Sequence, residues 1–195
     1  MRKAEEWKNV FCLEGLWEAN LKINYSVEPV LSLLNKQYPR MKYIYGSCAT
    51  VAEFKFYLNK WTQASYDKYP ILYLASHGNK GSIEFSHREK IEITEIAQLL
   101  EGKCNNKIII FASCGILDLD KSDIDKFIKI TNCLAVCGYR NDVDWIKATA
   151  FELLLLEGMQ DNEFSGRGVG AIQRNLDKIG KSFHGLDFNM VIKNM

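Results

Sequence analysis

Apolar residues in this chain follow two spacings that take turns along its length. Short unbroken runs occur at Asn9–Leu13 (closed by Glu14-Gly15), Lys42–Gly46, Ile71–Ala75, Ile108–Ala112 and Cys133–Tyr139. These predict strands, and Ile71–Ala75, Ile108–Ala112 and Leu134–Val136 read as strands buried on both faces, as in a parallel sheet covered by helices. Between them the apolar positions recur every three or four residues, which predicts helices. One helix spans Val27–Tyr38 with Val27, Val30, Leu31, Leu34 and Tyr38 on its stripe. Ser26 can cap it, Pro29 is tolerated in its first turn, and Pro39 marks its end. Val51–Trp61 repeats Val51, Phe54, Leu58 and Trp61. A short helix capped by Thr94 runs to Leu100 and stops at Gly102, and another starts at Ser122 or Asp123 with Ile124, Phe127, Ile128 and Ile130 inward. Val143–Met159 is expected to be the longest helix and, being broadly apolar, deeply packed. Gly168–Ile179 predicts a last helix of weaker amphipathicity, and Leu186–Ile192 a closing strand.

One segment differs. Ser82–Phe85 and Lys90–Ile93 alternate polar and apolar residues and predict a hairpin flap turning through Ser86–Glu89. The remaining rhythm of strand and helix predicts an α/β protein: a three-layer α/β/α sandwich with a mostly parallel central sheet. No domain boundary is visible, so residues 1–195 are read as a single domain.

Composition narrows the function more than the fold. Twenty-five basic residues against 24 acidic ones give a net charge of +1, so no basic field points to nucleic acid. No apolar stretch reaches the roughly 18 residues of a membrane span, and the residues after Met1 carry no apolar signal-peptide core. Six cysteines with no CxxC pair, several inside apolar runs (Cys12, Cys133, Cys137), fit a reducing, cytoplasmic setting. No His/Cys group has zinc-ligand spacing. Gly166-Arg167-Gly168-Val169-Gly170 follows no strand and lacks the Lys-Ser/Thr of a P-loop, so it reads as a flexible turn. No cofactor is expected.

Two of the strand-like runs echo each other. Pro70–Gly78 ends in Ala75-Ser76-His77-Gly78, and Lys107–Gly115 ends in Ala112-Ser113-Cys114-Gly115. The reactive residues are 114 − 77 = 37 positions apart, enough for one crossover connection. In open α/β sheets, sites form beyond the carboxyl ends of the strands. Neighbouring parallel strands lie roughly 4.8 Å apart, so side chains at two such ends can meet. A thiolate is the reactive form of cysteine, and a nearby imidazole generates it and later protonates the leaving group. The backbone N–H groups of Gly78 and Cys114 can stabilise an oxyanion. Cys48 follows another strand end and is the rival nucleophile. His87 falls in the hairpin turn, and His184 has no comparable framing.

Strand-Ser-His-Gly followed by strand-Ser-Cys-Gly resembles the caspase-like fold of cysteine peptidases, which includes caspases, legumain, gingipain, separase and bacterial CHAT-type domains. The likeness covers about Val10 to Leu156 in element order, and the bacterial members are nearer than caspases proper. Caspases carry Gln-Ala-Cys-x-Gly where this chain has Phe111-Ala112-Ser113-Cys114-Gly115, and their aspartate-selecting basic residues are not identifiable here. The resemblance implies that His77 follows the third core strand and Cys114 the fourth. It implies a Cys–His endopeptidase acting on a protein or peptide through a thioester. It further implies that an acid beyond the fifth strand, Asp142 or Asp144, binds a basic P1 side chain. The same analogy suggests a regulatory partner encoded nearby, in bacterial defence or cell death. Two alternatives stand beside it: a catalytically inactive interaction module with the same fold, and an unrelated flavodoxin-like or Rossmann-like binding domain. Both aspartates also precede a helix, where carboxylates cap free N–H groups.

Overall fold

A computed structural model of the chain describes residues 7–86 and 89–194; the N-terminal segment read above and His87 lie outside them. The elements follow in the order β1 (Val10–Gly15), α1 (Glu28–Gln37), β2 (Tyr43–Cys48), α2 (Val51–Trp61), β3 (Ile71–Ala75), β4 (His77–Asn79), β5 (Ser82–Ser86), β6 (Glu89–Glu92), α3 (Ile93–Leu99), β7 (Ile108–Ala112), α4 (Lys121–Thr131), β8 (Ala135–Tyr139), α5 (Trp145–Gly158), α6 (Gly166–Gly180) and β9 (Phe188–Ile192). The main sheet has the order β2-β1-β3-β7-β8-β9. Its first five strands are parallel and β9 pairs antiparallel to β8.

Side-chain alternation divides the core into two halves, one on each face of the sheet. Cys12, Tyr73, Ile110 and Cys137 face α1, α5 and α6, whose inward residues include Leu31, Leu155 and Ile172. Phe11, Leu72, Ile109 and Val136 face α2, α3 and α4, through Phe54, Ile96 and Phe127 among others. This is the three-layer α/β/α sandwich expected from the runs.

The ends of several elements differ from expectation, each for a local reason. The flap is a three-stranded meander, because His77–Asn79 pairs antiparallel with β5 ahead of the β5–β6 hairpin. Gly15 holds this meander against β1. A Cβ there would lie 2.9 Å from Ser76 Cβ and 3.0 Å from Glu84 O, and Leu16 N–H donates to Phe85 O at 2.7 Å. Thr94 lies inside α3, which starts at Ile93 after Glu92, and α4 starts at Lys121 after Asp120. The glycine-rich stretch is no free turn but the first turn of α6. Ser165 caps it by accepting from Gly168 N–H at 3.2 Å, and a Cβ at Gly168 would fall 1.9 Å from Glu163 O. With 15 residues α6 is longer than the 14-residue α5, and it is strongly amphipathic, burying Val169, Ile172 and Leu176 on one stripe. α5 is not buried all round: Leu155 and Leu156 are core, whereas Ile146 is 71% exposed.

A buried acid at the end of β1 shapes the next segment. Glu14 accepts from Trp17 Nε1 (2.6 Å), Val27 N–H (2.8 Å), Ser26 Oγ (2.6 Å) and Tyr45 O–H (2.6 Å). It thereby ties the 16–26 loop and the start of α1 to the sheet edge. Ser26 takes part in the cap through Glu28 N–H at 3.0 Å, but the residue preceding the helix is Val27.

Replacing Glu14 by Leu strands the buried Val27 donor and leaves the half-buried Trp17 donor without its partner, while Ser26 and Tyr45 can turn to solvent. At roughly 1–3 kcal/mol per stranded donor, the variant is expected to lose about 2–4 kcal/mol in urea unfolding. A loss below about 0.5 kcal/mol would show that the loop does not depend on this carboxylate.

Candidate active site

The parallel register of β3 and β7 runs from Ile71↔Ile108 to Ala75↔Ala112. Two residues further on, each chain carries its reactive side chain, His77 and Cys114. Even spacing puts both on the face that already holds Tyr73 and Ile110. The segments stay in contact beyond the ladder: Ser76 Oγ and Ser113 Oγ are 3.4 Å apart. Gly78 lies flat against the cysteine, so a Cβ there would meet Cys114 O at 2.6 Å and Ser113 Cβ at 2.7 Å. After Cys114 the chain turns at Gly115 (φ +59°), whose N–H donates to Asn141 O at 3.1 Å beyond β8. The Gly115 donor is therefore committed to holding the turn.

His77 is exposed, and its ring is oriented from the 16–26 loop. Nε2 lies 2.6 Å from Trp17 O. A carbonyl only accepts, so Nε2 carries the hydrogen and Nδ1 is left as the basic nitrogen. The Trp17 ring packs edge-on against the imidazole at 5.3 Å and against Trp145 at 4.6 Å. The Glu14 carboxylate anchors Trp17 in turn, so one buried acid on β1 indirectly orients the imidazole.

His77 and Cys114 line one small cavity of about 170 Å³. Trp17, Val143 and Trp145 form its half-buried rim, and Val27, Ala112 and Tyr139 are among its buried walls. Small side chains at Ala112 and Ala148 leave the space open. From α5 the lining comes from Trp145, Ala148, Thr149 and Glu152, the i, i+3, i+4, i+7 positions of one helical stripe. Glu152 is the acid within this cavity. It is 3% exposed and accepts from Tyr73 O–H at 2.5 Å and Tyr139 O–H at 2.8 Å. Burial pushes its carboxyl up to about 7; the two tyrosine hydrogen bonds oppose the rise and the nearby charge of Glu14 adds to it. Burial also raises both tyrosines, with Glu152 reinforcing the effect.

Of the six cysteines, Cys114 alone reaches the surface; the others are buried. Burial pushes the Cys48 and Cys104 thiols up to about 12 and that of Cys133 up to about 11, and it raises Cys12 and Cys137 as well. Cys48 therefore has neither the access nor the acidity of a nucleophile. Asp142 and Asp144 are exposed, and neither lines the cavity, although Val143 and Trp145 beside them do. Asp144 caps α5, its Oδ1 accepting from Lys147 N–H at 2.9 Å, which is the capping role open to it from sequence. His184 is exposed at the far end of α6, beside a separate cavity. Among the described residues no group of three His, Cys, Asp or Glu is placed to hold a metal ion, and no helix is long and apolar enough to cross a membrane.

Fold and site together define an α/β sandwich with a candidate site at the carboxyl edge of a mostly parallel sheet. The chain belongs to the family described as "Family of unknown function (DUF6642)", whose model matches residues 7–190. No curated protein matches it.

Glu152 makes a pH signature measurable. An unfolded glutamate loses its proton near the ordinary value of 4.5, and the folded one near 7. Between these values the folded chain holds a proton that the unfolded chain has lost. Stability therefore falls as pH rises through this window, then levels off. The interval corresponds to roughly 3 kcal/mol. Glu152→Gln removes the titration but keeps polar partners for both tyrosines. From about pH 4.5 to about pH 8 the variant should gain on the wild type by roughly this amount in urea unfolding. Parallel pH curves for the two proteins would count against a buried, titrating Glu152.

Proposed function

We propose that this protein is a cysteine peptidase that cleaves a protein or peptide substrate with His77 and Cys114. The observation that carries this reading is that one imidazole and the one surface-reaching thiol, delivered by adjacent parallel strands, line the same cavity. In this mechanism Nδ1 of His77 takes the Cys114 proton as the sulfur attacks the scissile carbonyl carbon. The C=O π electrons move to oxygen, and the backbone N–H groups of Gly78 and Cys114 stabilise that oxyanion. Collapse of the tetrahedral adduct breaks the C–N bond, and His77 returns the proton to the departing amine. A water molecule, deprotonated by His77, then attacks the thioester. The carboxylic acid leaves and the thiol regains its proton. The Trp17 carbonyl supports the imidazolium formed in both halves of the cycle, because Nε2–H already donates to it.

A panel of fluorogenic peptides with Arg, Lys and Asp at P1 tests the reading. Cys114→Ala is expected to abolish turnover, and His77→Ala to lower kcat by roughly 10²–10⁴-fold with an intact fold by circular dichroism. Activity that survives unchanged in Cys114→Ala would refute the assignment, and total inactivity of the wild type towards protein and peptide substrates would favour a non-catalytic interaction module.

A further inference from the structure

Building on the peptidase reading, we propose that Glu152 is the specificity-determining residue of this site, and that the cavity it lines receives a long cationic side chain from the residue whose carbonyl Cys114 attacks. The cavity's shape and chemistry support this. Its walls are mostly apolar, from Val27, Ala112, Val143 and Ala148, and suit a run of methylenes. At about 170 Å³ it holds one extended side chain and little else. Cys114 and His77 line it as well, so a side chain held in it keeps its own carbonyl near the thiol.

The polar end of the pocket is an acid without a cation. Glu152 accepts one hydrogen bond on each oxygen, from Tyr139 and Tyr73, and among the described residues none of the ion pairs involves it. A buried carboxyl without a positive partner keeps its proton, and an ammonium delivered by substrate is what would favour its release. A neutral side chain of the same length offers no such exchange. The acid predicted from the resemblance is therefore relocated. Asp142 and Asp144 lie outside the cavity, while Glu152 lies within it on the same helix that Asp144 caps.

The pocket's preference should then depend on pH. The groups around Glu152 are Tyr73 from β3, Tyr139 from β8, and Glu14 and Cys12 from β1, with His77 and Cys114 lining the same cavity. Of the groups here that burial raises, Tyr73, Tyr139 and Cys12 stay neutral across the relevant range, and Glu152 changes charge within it. Its carboxyl, pushed up to about 7, is mostly protonated below neutrality and mostly ionised above it.

Two peptidyl acyloxymethyl ketones, with lysine or norleucine at the position next to the ketone, separate this proposal from the one beneath it. Each alkylates Cys114 by forming a C–S bond as the C–O bond to the acyloxy group breaks and a carboxylate departs. Both react with the same thiol and imidazole, so the intrinsic reactivity of that pair is common to the two rates, and Glu152→Gln exposes any charge effect on the lysine probe that does not come from Glu152. The full chain is expected to react with the lysine probe roughly tenfold or more faster than with the norleucine probe at about pH 8. The ratio should fall towards one by about pH 5.5. In Glu152→Gln the ratio should lie near one at both pH values, in a protein whose circular dichroism matches the wild type. Equal rates for both probes in the wild type, or a ratio unmoved by Glu152→Gln, would overturn the Glu152 assignment and leave the peptidase reading standing. Failure of both probes to label Cys114 would overturn both.

Discussion

Parallel pairing of β3 with β7 in one fixed register is the constraint on which the site depends. Because Ala75 and Ala112 are paired, His77 and Cys114 leave the sheet at the same height and on the same face. A slip of one residue would turn one of them to the opposite layer. The ladder itself ends before either residue. Past its end the register is kept by close contact, with Gly78 against the backbone of Cys114 and the two serine hydroxyls facing each other. The repeated Ala-Ser step has a packing role in both strands. Serine sits where the two chains touch, and on β7 the alanine leaves the space that becomes the cavity.

The face that carries the site also carries two buried acids, and they are handled differently. Glu14 gathers four donors and works as a structural hub, fixing the loop whose Trp17 carbonyl orients the imidazole. Glu152 has two tyrosine donors and an adjoining cavity. A carboxyl buried without a cation is held at an energetic cost. Desolvation is the main cause that raises the Glu152 carboxyl, which favours its neutral form. The two acids also sense each other, since the charge of Glu14 helps raise Glu152. Loop anchoring and the charge state of the cavity are therefore linked through β1 and α5.

Much of this architecture was legible in the sequence because the inner strands β1, β3, β7 and β8 are buried on both faces and leave unbroken apolar runs. The ranks of β3 and β7 followed from counting those runs, and the echo of Ala-Ser-His-Gly in Ala-Ser-Cys-Gly located the shared edge. Other features depended on contacts between distant segments. Nothing local in His77-Gly78-Asn79 signals that it pairs with β5. Gly166-Arg167-Gly168 looked like a loop because its helix start is stabilised by Ser165 and by close packing on Glu163. Glu152 was the main omission. Its signal was present, a lone carboxylate in the Phe151–Leu156 apolar run at i+7 from Trp145. Only the packing of α5 over Ala112 shows that this stripe faces the cysteine. The acids after β8 drew attention instead, and one of them is a helix cap.

The distribution of thiols gives this molecule a built-in gauge of its own folding. Five cysteines are sealed in the core and one reaches the surface. A reagent that counts modified sulfurs per chain would register a single adduct on the native protein and six on the unfolded one. Partial openings of the sandwich would fall between those limits. Loosening on the side of α1, α5 and α6 would release Cys12 and Cys137, and loosening on the other side would release Cys48, Cys104 and Cys133. The order in which those sulfurs become reactive would show which layer of the fold yields first, without a single engineered label.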